Sequence, residues 1–280
     1  MGAGVVVNTN ISSLHAARVL SQNRTDLESA MARLASGKRL NSASDDAAAA
    51  SVAAKMKADI RSTDVAVRNI NDGISLFQTV DGASSEVENI LIRMREVALQ
   101  MTNGTYSDGD RVNANKEFVA LTAEIERIAT KSAFNRVAFA GGTVTGIKIQ
   151  SGAAEDDNLS TSALTLPDLR TGASNLAVSG VAISSATAAA AAVTAVDAAI
   201  IKVAGFRADT GATINRLGFA LSNAQNVSQR LQEALSGLED ADYAAESAAL
   251  ARGMVLAQAG SAMLAQANQA PQYVLTLLRG

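Results

Sequence analysis

Few side chains in this sequence are spaced for catalysis or for metal binding. His15 is the only histidine and there is no cysteine, so a zinc site would need carboxylates around a single imidazole. A Ser–His–Asp triad needs a histidine placed for one particular serine, and nothing in the sequence marks that serine among the many. We therefore expect a protein that is not an enzyme, with no catalytic residues, no metal site and no cofactor.

The acidic and glycine-rich stretches have simpler explanations. Asp45 and Asp46 stand at the start of a predicted helix, where negative charge interacts favourably with the free amides of the first turn. Residues 155–157 lack the spacing of a calcium loop, and Gly141-Gly142 belongs to no phosphate-binding motif. The formal net charge is −3 and no cluster of Lys and Arg occurs, which argues against nucleic acid as a partner.

The composition favours long helices packed on helices. Apolar residues make up 48% of the 280 residues but aromatic residues only 3%, and the only prolines are Pro167 and Pro271. The N-terminus lacks the basic and long apolar regions of a cleavable secretory signal. The uncharged stretch 253–278 carries too many Gln and Asn residues for a membrane span, so we expect no membrane partner.

Apolar residues recur in steps of three and four along most of the chain, the pattern of helices that pair through one stripe. We predict helices over 10–34, over 45–101 and from about 188, and a terminal helix after a weak point at Ser236-Gly237. The terminal stripes contain Leu20, Leu27, Met31 and Leu34 near the N-terminus and Met254, Ala257 and Leu264 near the C-terminus.

The middle of the chain has a different pattern. A helix is expected to begin at the capping box Ser107–Asp110, and β-like runs flank Gly141-Gly142, a candidate hairpin turn. We place β-hairpins at about 137–170. The small, featureless residues of 172–187 predict a short variable connection on the surface.

The stretch 33–48, RLASGKRLNSASDDAA, interrupts the helical pattern near the N-terminus. A second interruption of the helical pattern lies near the C-terminus, at Ser236-Gly237. From either end, the chain therefore begins with a terminal helix, which is followed by a break and then by long helices. The economical fold then brings the two breaks side by side. We therefore predict a mainly α fold: a long antiparallel helical coiled-coil bundle with a small β-hairpin region and paired N- and C-termini.

Several motifs of this sequence resemble bacterial flagellin, in the order in which that family has them. They are 7–10 (VNTN), 33–46 (RLASGKRLNSASDD), 68–75 (RNINDGIS), 93–100 (RMREVALQ), 264–272 (LAQANQAPQ) and 274–279 (VLTLLR). The resemblance covers the chain from about Val7 to Arg279 apart from the middle. It implies a short form without the large outer domains of many family members.

The resemblance implies two discontinuous helical domains. Residues 1–44 with 237–280 would form an inner domain that lines the filament channel, and 45–236 a helical rod that carries the hairpins. It also implies a structural subunit that self-assembles into the extracellular flagellar filament for swimming motility. Its partners would be other copies, the type III export apparatus, a chaperone on the C-terminal helix, and cap and junction proteins.

The same resemblance assigns expected roles to individual residues. The terminal stripes given above would drive inner-core assembly, and Lys38, Arg39 and Asp45 would make charge contacts between neighbouring subunits at an elbow. Residues that match a contact with an innate-immune Toll-like receptor in some flagellins are Arg93, Val97 and Glu117. Two other functions stay open at this point: a hook–filament junction protein, and a secreted ligand for host interaction or adhesion.

Overall fold

The computed structural model describes residues 9–141, 147–152, 158–160, 167–172 and 175–279. In this part of the chain the elements are α1 (Ile11–Ser36), α2 (Ala47–Thr102), α3 (Asp108–Lys131), β1 (Ala133–Phe134), β2 (Val137–Ala138), β3 (Lys148–Gln150), β4 (Asn158–Ser160), α4 (Ala186–Glu239) and α5 (Tyr243–Arg279). The predicted fold class is confirmed, because long helices dominate and α1 pairs with α5. Gly142, the acidic residues 155–157 and the predicted strand residues 161–166 lie outside the described residues.

Two compact units make up the chain. Unit 1 comprises the described parts of residues 1–58 and 230–280, and unit 2 comprises those of 59–229. These limits fall inside α2 and α4, whereas the predicted domain limits at 44/45 and 236/237 follow breaks between helices. The predicted domains therefore stay a prediction.

Unit 2 has a core of large side chains supplied mainly by α2, α3 and α4. In α2 the predicted stripe faces this core, with Ile70, Phe77 and Leu91 buried, and α3 contributes Phe118 and Ile125. Because buried positions recur every three or four residues, each helix turns one continuous apolar face inward. The heptad pattern thus located the core of unit 2 correctly.

The connection before α4 packs onto this core, so the expectation of a surface connection is wrong. Leu176, Val178 and Ile183 are buried. The Glu126 carboxylate of α3 accepts hydrogen bonds from the backbone amide and the hydroxyl of Thr171, both at 2.9 Å. Side chains of a helix thus replace water as partners of the loop, which allows a segment without regular structure to be buried.

The first hairpin turns at a different place from the one predicted. β1 pairs with β2 in antiparallel fashion, and the two residues between them, Asn135 and Arg136, have φ values of 47° and 67°. A two-residue hairpin turn requires such positive φ values, which asparagine tolerates better than most residues. Gly141 instead forms an isolated bridge with Asp168. β3 pairs with β4.

The turn between α2 and α3 is held by the predicted capping box and by a buried arginine. Ser107 and Asp110 satisfy each other's backbone amides, as predicted. Arg111, whose side chain is 7% exposed, donates to the carbonyl oxygens of Met101 at 3.0 Å and Asn103 at 2.9 Å. The planar guanidinium thus satisfies carbonyls that the end of α2 leaves unpaired.

Arg111→Lys should lower the free energy of unfolding by about 1–3 kcal/mol, because a single ammonium cannot reach both carbonyls in this geometry. Urea unfolding followed by far-UV circular dichroism measures the change. The matched control is Arg127→Lys, since the Arg127 side chain is 61% exposed and pairs only with Glu124 in the described contacts. Its effect should stay below about 1 kcal/mol. Equal losses for the two variants would contradict the assigned role.

Candidate assembly site: the terminal helix pair and the elbow

α1 and α5 form an antiparallel pair through a regular seam. Near one end the side-chain amide of Asn10 donates to the Ala267 carbonyl at 2.7 Å, and near the other the Tyr243 hydroxyl donates to the Leu34 carbonyl at 2.7 Å. Steps of three and four separate the inward-facing residues of both helices, as in a coiled coil. These are Ser13, Ala16, Leu20, Asn23, Leu27, Ala30 and Leu34 in α1, and Glu246, Leu250, Gly253, Ala257, Gly260, Leu264 and Ala267 in α5.

The structure brings together five of the seven residues predicted for inner-core assembly. Leu20, Leu27, Leu34, Ala257 and Leu264 lie on the seam and are half-buried. The other two lie one position beside it and are exposed: Met31 at 43% and Met254 at 53%. The seam uses their small neighbours Ala30 and Gly253, and a role of Met31 and Met254 in inner-core assembly stays a prediction.

Polar groups fix the seam at intervals. The Asn23 side-chain amide donates to the Gly253 carbonyl at 3.1 Å, and the Arg33 guanidinium lies 3.2 Å from the Glu246 carboxylate. A side-chain donor in α1 can reach the backbone of α5 only where the two helices approach closely. These contacts were missed from the sequence, since polar seam residues do not stand out in an apolar stripe.

The pairing buries few large side chains. In the described part of unit 1, the buried apolar residues are three alanines: Ala30, Ala49 and Ala53. Large apolar side chains remain exposed on the same unit: Ile11, Leu14, Val19, Met31, Val52, Tyr243, Met254, Val255, Leu256 and Met263. Such a concentration of exposed apolar surface is typical of an interaction site.

A groove of about 850 Å³ runs along one side of the α1/α5 pair. Its lining includes Ile11, Val19, Leu256 and Met263, which are 51–67% exposed, together with Gly260 of the seam. His15 also lines the groove, with a few polar neighbours. The groove has the chemistry to receive the apolar face of another helix. In the part of the chain that the structure describes, no group of three or more His, Asp and Glu side chains is placed to hold a metal ion.

The elbow, defined as residues 37–46 with 239–242, joins the two helix breaks. The Arg39 amide donates to the Glu239 carbonyl at 2.7 Å, and the Ala241 amide donates to the Gly37 carbonyl at 3.0 Å. The predicted juxtaposition of the two breaks is confirmed. The position of the second break is wrong, since α4 continues through Ser236-Gly237 to Glu239. α5 begins where Asp242 accepts hydrogen bonds from the amides of its first turn.

Glu239 is the central charge of the elbow, and the sequence did not reveal it. Its side chain is 8% exposed, and its carboxylate lies 2.8 Å from Lys38 Nζ and 2.6 Å from Lys57 Nζ. Hydrogen bonds from Lys38 and then Lys57 hold the pKa of Glu239 below its ordinary value. The same contact raises the pKa of Lys38. The signal that could have found Glu239 is its place beside the second break.

The three predicted elbow residues all have partners inside the chain. Lys38 pairs with Glu239, and the Arg39 guanidinium donates to the Leu238 carbonyl at 2.8 Å. The Asp45 carboxylate accepts from the amides of Ser42 at 2.8 Å and Asn41 at 3.0 Å, and these bonds lower its pKa. A contact of these residues with a neighbouring subunit stays a prediction.

The residues predicted for receptor contact occupy two different environments. Arg93 and Glu117 are exposed and paired, with Arg93 Nη2 lying 2.8 Å from Glu117 Oε1, and this contact raises the pKa of Arg93. Val97 is 3% exposed and lies in the core of unit 2. Only Arg93 and Glu117 therefore belong to the surface, and recognition by a receptor stays a prediction.

Glu239→Gln should lower the free energy of unfolding at pH 7 by about 1–2 kcal/mol, because two ammonium groups lose their common carboxylate. The folded-state pKa of Glu239 is depressed, so its contribution is present above the unfolded-state pKa of about 4.3 and is lost as the pH falls through the folded-state value. The deficit of the variant should therefore shrink in acid. Urea titrations at pH 7 and near pH 2 measure it.

The matched control for this variant is Glu28→Gln, at an exposed position of α1. Its effect should stay within about 0.5 kcal/mol at either pH. A deficit of Glu239→Gln that is the same at both pH values would show that the charge of Glu239 is not what stabilises the elbow.

Comparisons with known proteins agree with this architecture. The sequence matches the bacterial flagellin N-terminal helical region over residues 7–144 and the bacterial flagellin C-terminal helical region over residues 193–278. A crystal structure of Bacillus cereus flagellin is 36% identical and covers 56% of this chain and 88% of its own, with a TM-score of 0.49. A protein from Vibrio parahaemolyticus, described as flagellar hook-associated, has a TM-score of 0.59 at 16% identity and covers 70% of this chain and 100% of its own. Similarity at that identity shows the fold alone.

Relatives of full length give the same result. Flagellin from Halalkalibacterium halodurans is 41% identical over 275 residues, which cover 98% of this chain and 100% of that protein. Flagellin from Listeria monocytogenes is 35% identical over 283 residues, covering 97% and 99%. A flagellar filament 30.7 kDa core protein from Treponema maltophilum is 36% identical over 284 residues, covering 98% and 100%. With both helical regions matched and such relatives aligned from end to end, the chain belongs to the bacterial flagellin family.

Proposed function

We propose that the chain is a structural subunit that self-assembles into a bacterial flagellar filament and so serves swimming motility. The observation that carries this proposal is the composition of unit 1. Its helix pair meets through small residues and through leucines that stay half-buried, and it leaves other large apolar side chains exposed. A helix pair without a core of large side chains is marginally stable by itself, and contact with other copies would cover the exposed surface.

The exposed side chains lie on more than one side of the α1/α5 pair, which favours an open polymer. With about 100° between successive residues of a helix, Leu256 and Met263 project on the groove side of α5 and Met254 on the other side. Leu14 likewise projects away from the groove-lining face of α1. Contact between two different faces of identical subunits propagates as a helical filament where the rotation between neighbours does not close a ring.

The remaining assignments belong to the same proposal. The seven terminal-stripe residues named above act in inner-core assembly, the predicted two domains form the channel lining and the rod, and Lys38, Arg39 and Asp45 support the elbow. The subunit is exported unfolded through the type III apparatus, with a chaperone on α5, and reaches the extracellular filament beside cap and junction proteins. Recognition of Arg93 and Glu117 by a Toll-like receptor would be secondary to filament contacts.

The other functions have less support. Relatives that align from end to end carry the names flagellin and flagellar filament core protein, which favours the filament over the hook–filament junction. Flagellins are structural proteins, which agrees with the expectation that the chain is not an enzyme. An adhesion ligand would need a large outer domain, and 172–187 leaves room only for a connection.

Two helical stretches, Ala186–Glu239 and Tyr243–Gln269, are long and apolar enough to cross a membrane by length and composition. The first contributes buried residues such as Val196 and Leu217 to the core of unit 2. The second carries Gln258, Gln266 and Asn268, whose side-chain amides would be costly in hydrocarbon. Protein–protein contact explains the apolar surface of α5 better than a membrane does.

Met263→Asp should raise the concentration needed for assembly at least about tenfold, because a carboxylate in a dry helix contact costs several kcal/mol. Elongation of short wild-type filament seeds by purified monomer, followed by light scattering and electron microscopy, measures it. The matched control is Ser247→Asp, which adds the same charge at an exposed polar position of α5. It should change the concentration less than about threefold. Normal elongation by the Met263 variant would count against contact through the groove.

A further inference from the structure

We propose that Gly253 and Gly260 set the separation and the register of the α1/α5 pair, and that assembly requires both positions to lack a side chain. They act as positioning residues, because each leaves room for a leucine of α1: Gly253 for Leu27 and Gly260 for Leu20. The assembly consequence rests on the proposed function. The register consequence rests only on contacts within the chain.

The leucines of α1 fill the space that these glycines leave. A Cβ atom at Gly260 would lie 3.2 Å from Leu20 Cδ1, and one at Gly253 would lie 3.3 Å from Leu27 Cδ1 and 3.5 Å from Leu27 Cβ. Carbon atoms pack best at about 3.5–4.0 Å, so even a methyl group would crowd the leucines. The two glycines are seven residues apart, as are the two leucines, so each large side chain of one helix faces a gap in the other.

Glycine is otherwise a poor choice at these positions. In a helix interior it costs about 1 kcal/mol relative to alanine. Its presence alone is not the argument, because a Cβ at the helical residues Gly82, Gly205 or Gly218 would meet no neighbouring group within 4 Å, whereas one at Gly253 or Gly260 would meet a leucine. The close approach also lets Asn23 reach the Gly253 carbonyl.

The glycine spacing selects one register. If α5 slid by one seam step, Leu20 and Leu27 would face the positions of Leu250, Ala257 or Leu264, where side chains already fill the space. If it slid by a whole heptad, only one of the two leucines could face a glycine. One register places a glycine opposite each of the two leucines, and the structure has this register.

The presence of glycine at these two seam positions also places large residues of α5 outside the seam. With glycine on the seam, the following residue Met254 falls outside it and is 53% exposed, while Met263, three residues after Gly260, is 64% exposed. The positions without side chains therefore determine which face α5 offers to other copies. A shift in register would move that face relative to α1.

Gly260→Leu tests the inference, with Gly82→Leu as the matched control, because it adds the same side chain at an exposed helical position where a Cβ would meet no neighbouring group within 4 Å. Gly260→Leu combined with Leu20→Ala exchanges the large and small partners. We expect Gly260→Leu to raise the concentration needed for seeded assembly about tenfold or more, the control to stay within about threefold, and the exchange to recover most of the loss. A Gly260→Leu chain that assembles like the control, or an exchange that recovers nothing, would overturn the inference.

The register is read separately with cysteines, since the natural chain has none. Ser13→Cys with Asn268→Cys replaces side chains that lie 2.6 Å apart, Ser13 Oγ to Asn268 Oδ1. Under assembly conditions a short bis-maleimide should cross-link this pair within one chain, and adding Gly260→Leu should reduce the product about tenfold. An unchanged yield, or no product in the otherwise natural chain, would refute the register. Failure of the unmodified protein to elongate seeds would contradict the proposed function and leave the cross-linking result to decide the register.

Discussion

The close approach of two helices through small residues governs the structure of unit 1. α1 and α5 meet where Gly253 and Gly260 provide no side chain and where Ala30 provides a small one. The leucines of the seam are only half-buried, and burial of apolar surface is the main favourable term in folding. Further contacts would therefore add to the stability of the pair. Its exposed apolar side chains are the surface with which such contacts can form.

The helices of unit 2 have the same repeat of apolar residues in steps of three and four, but they pack differently from α1 and α5. Its stripes place Phe77, Leu91 and Phe118 in a core that is closed within the chain. Ion pairs hold neighbouring helices together, since Arg207 of α4 lies 2.9 Å from Asp81 and 2.6 Å from Glu88 of α2. The pattern of three- and four-residue steps alone does not distinguish a unit with such a core from one without it.

This difference explains how far the sequence could be interpreted. Large apolar residues at regular steps located the core of α2 correctly, and the break at 33–48 predicted the elbow. The same reasoning grouped Met31 and Met254 with the leucines in one stripe, because it counted apolar side chains. It gave no weight to a glycine, whose missing side chain makes room for a leucine of the other helix. Gly141-Gly142 was preferred as a hairpin turn for its conformational freedom, whereas Asn135 and Arg136 adopt the positive φ values. Glu239 was not predicted, because its two lysine partners are distant in sequence.

The elbow pairs the two helix breaks of the chain with each other. A helix break leaves the amides and carbonyls of helix ends without partners. Here the bonds between residues 37–39 and 239–241 satisfy several of them, and Glu239 offsets the charges of Lys38 and Lys57 beside them. Each break therefore supplies partners for backbone groups that the other leaves open, and the buried carboxylate of Glu239 lies between the lysines of both sides.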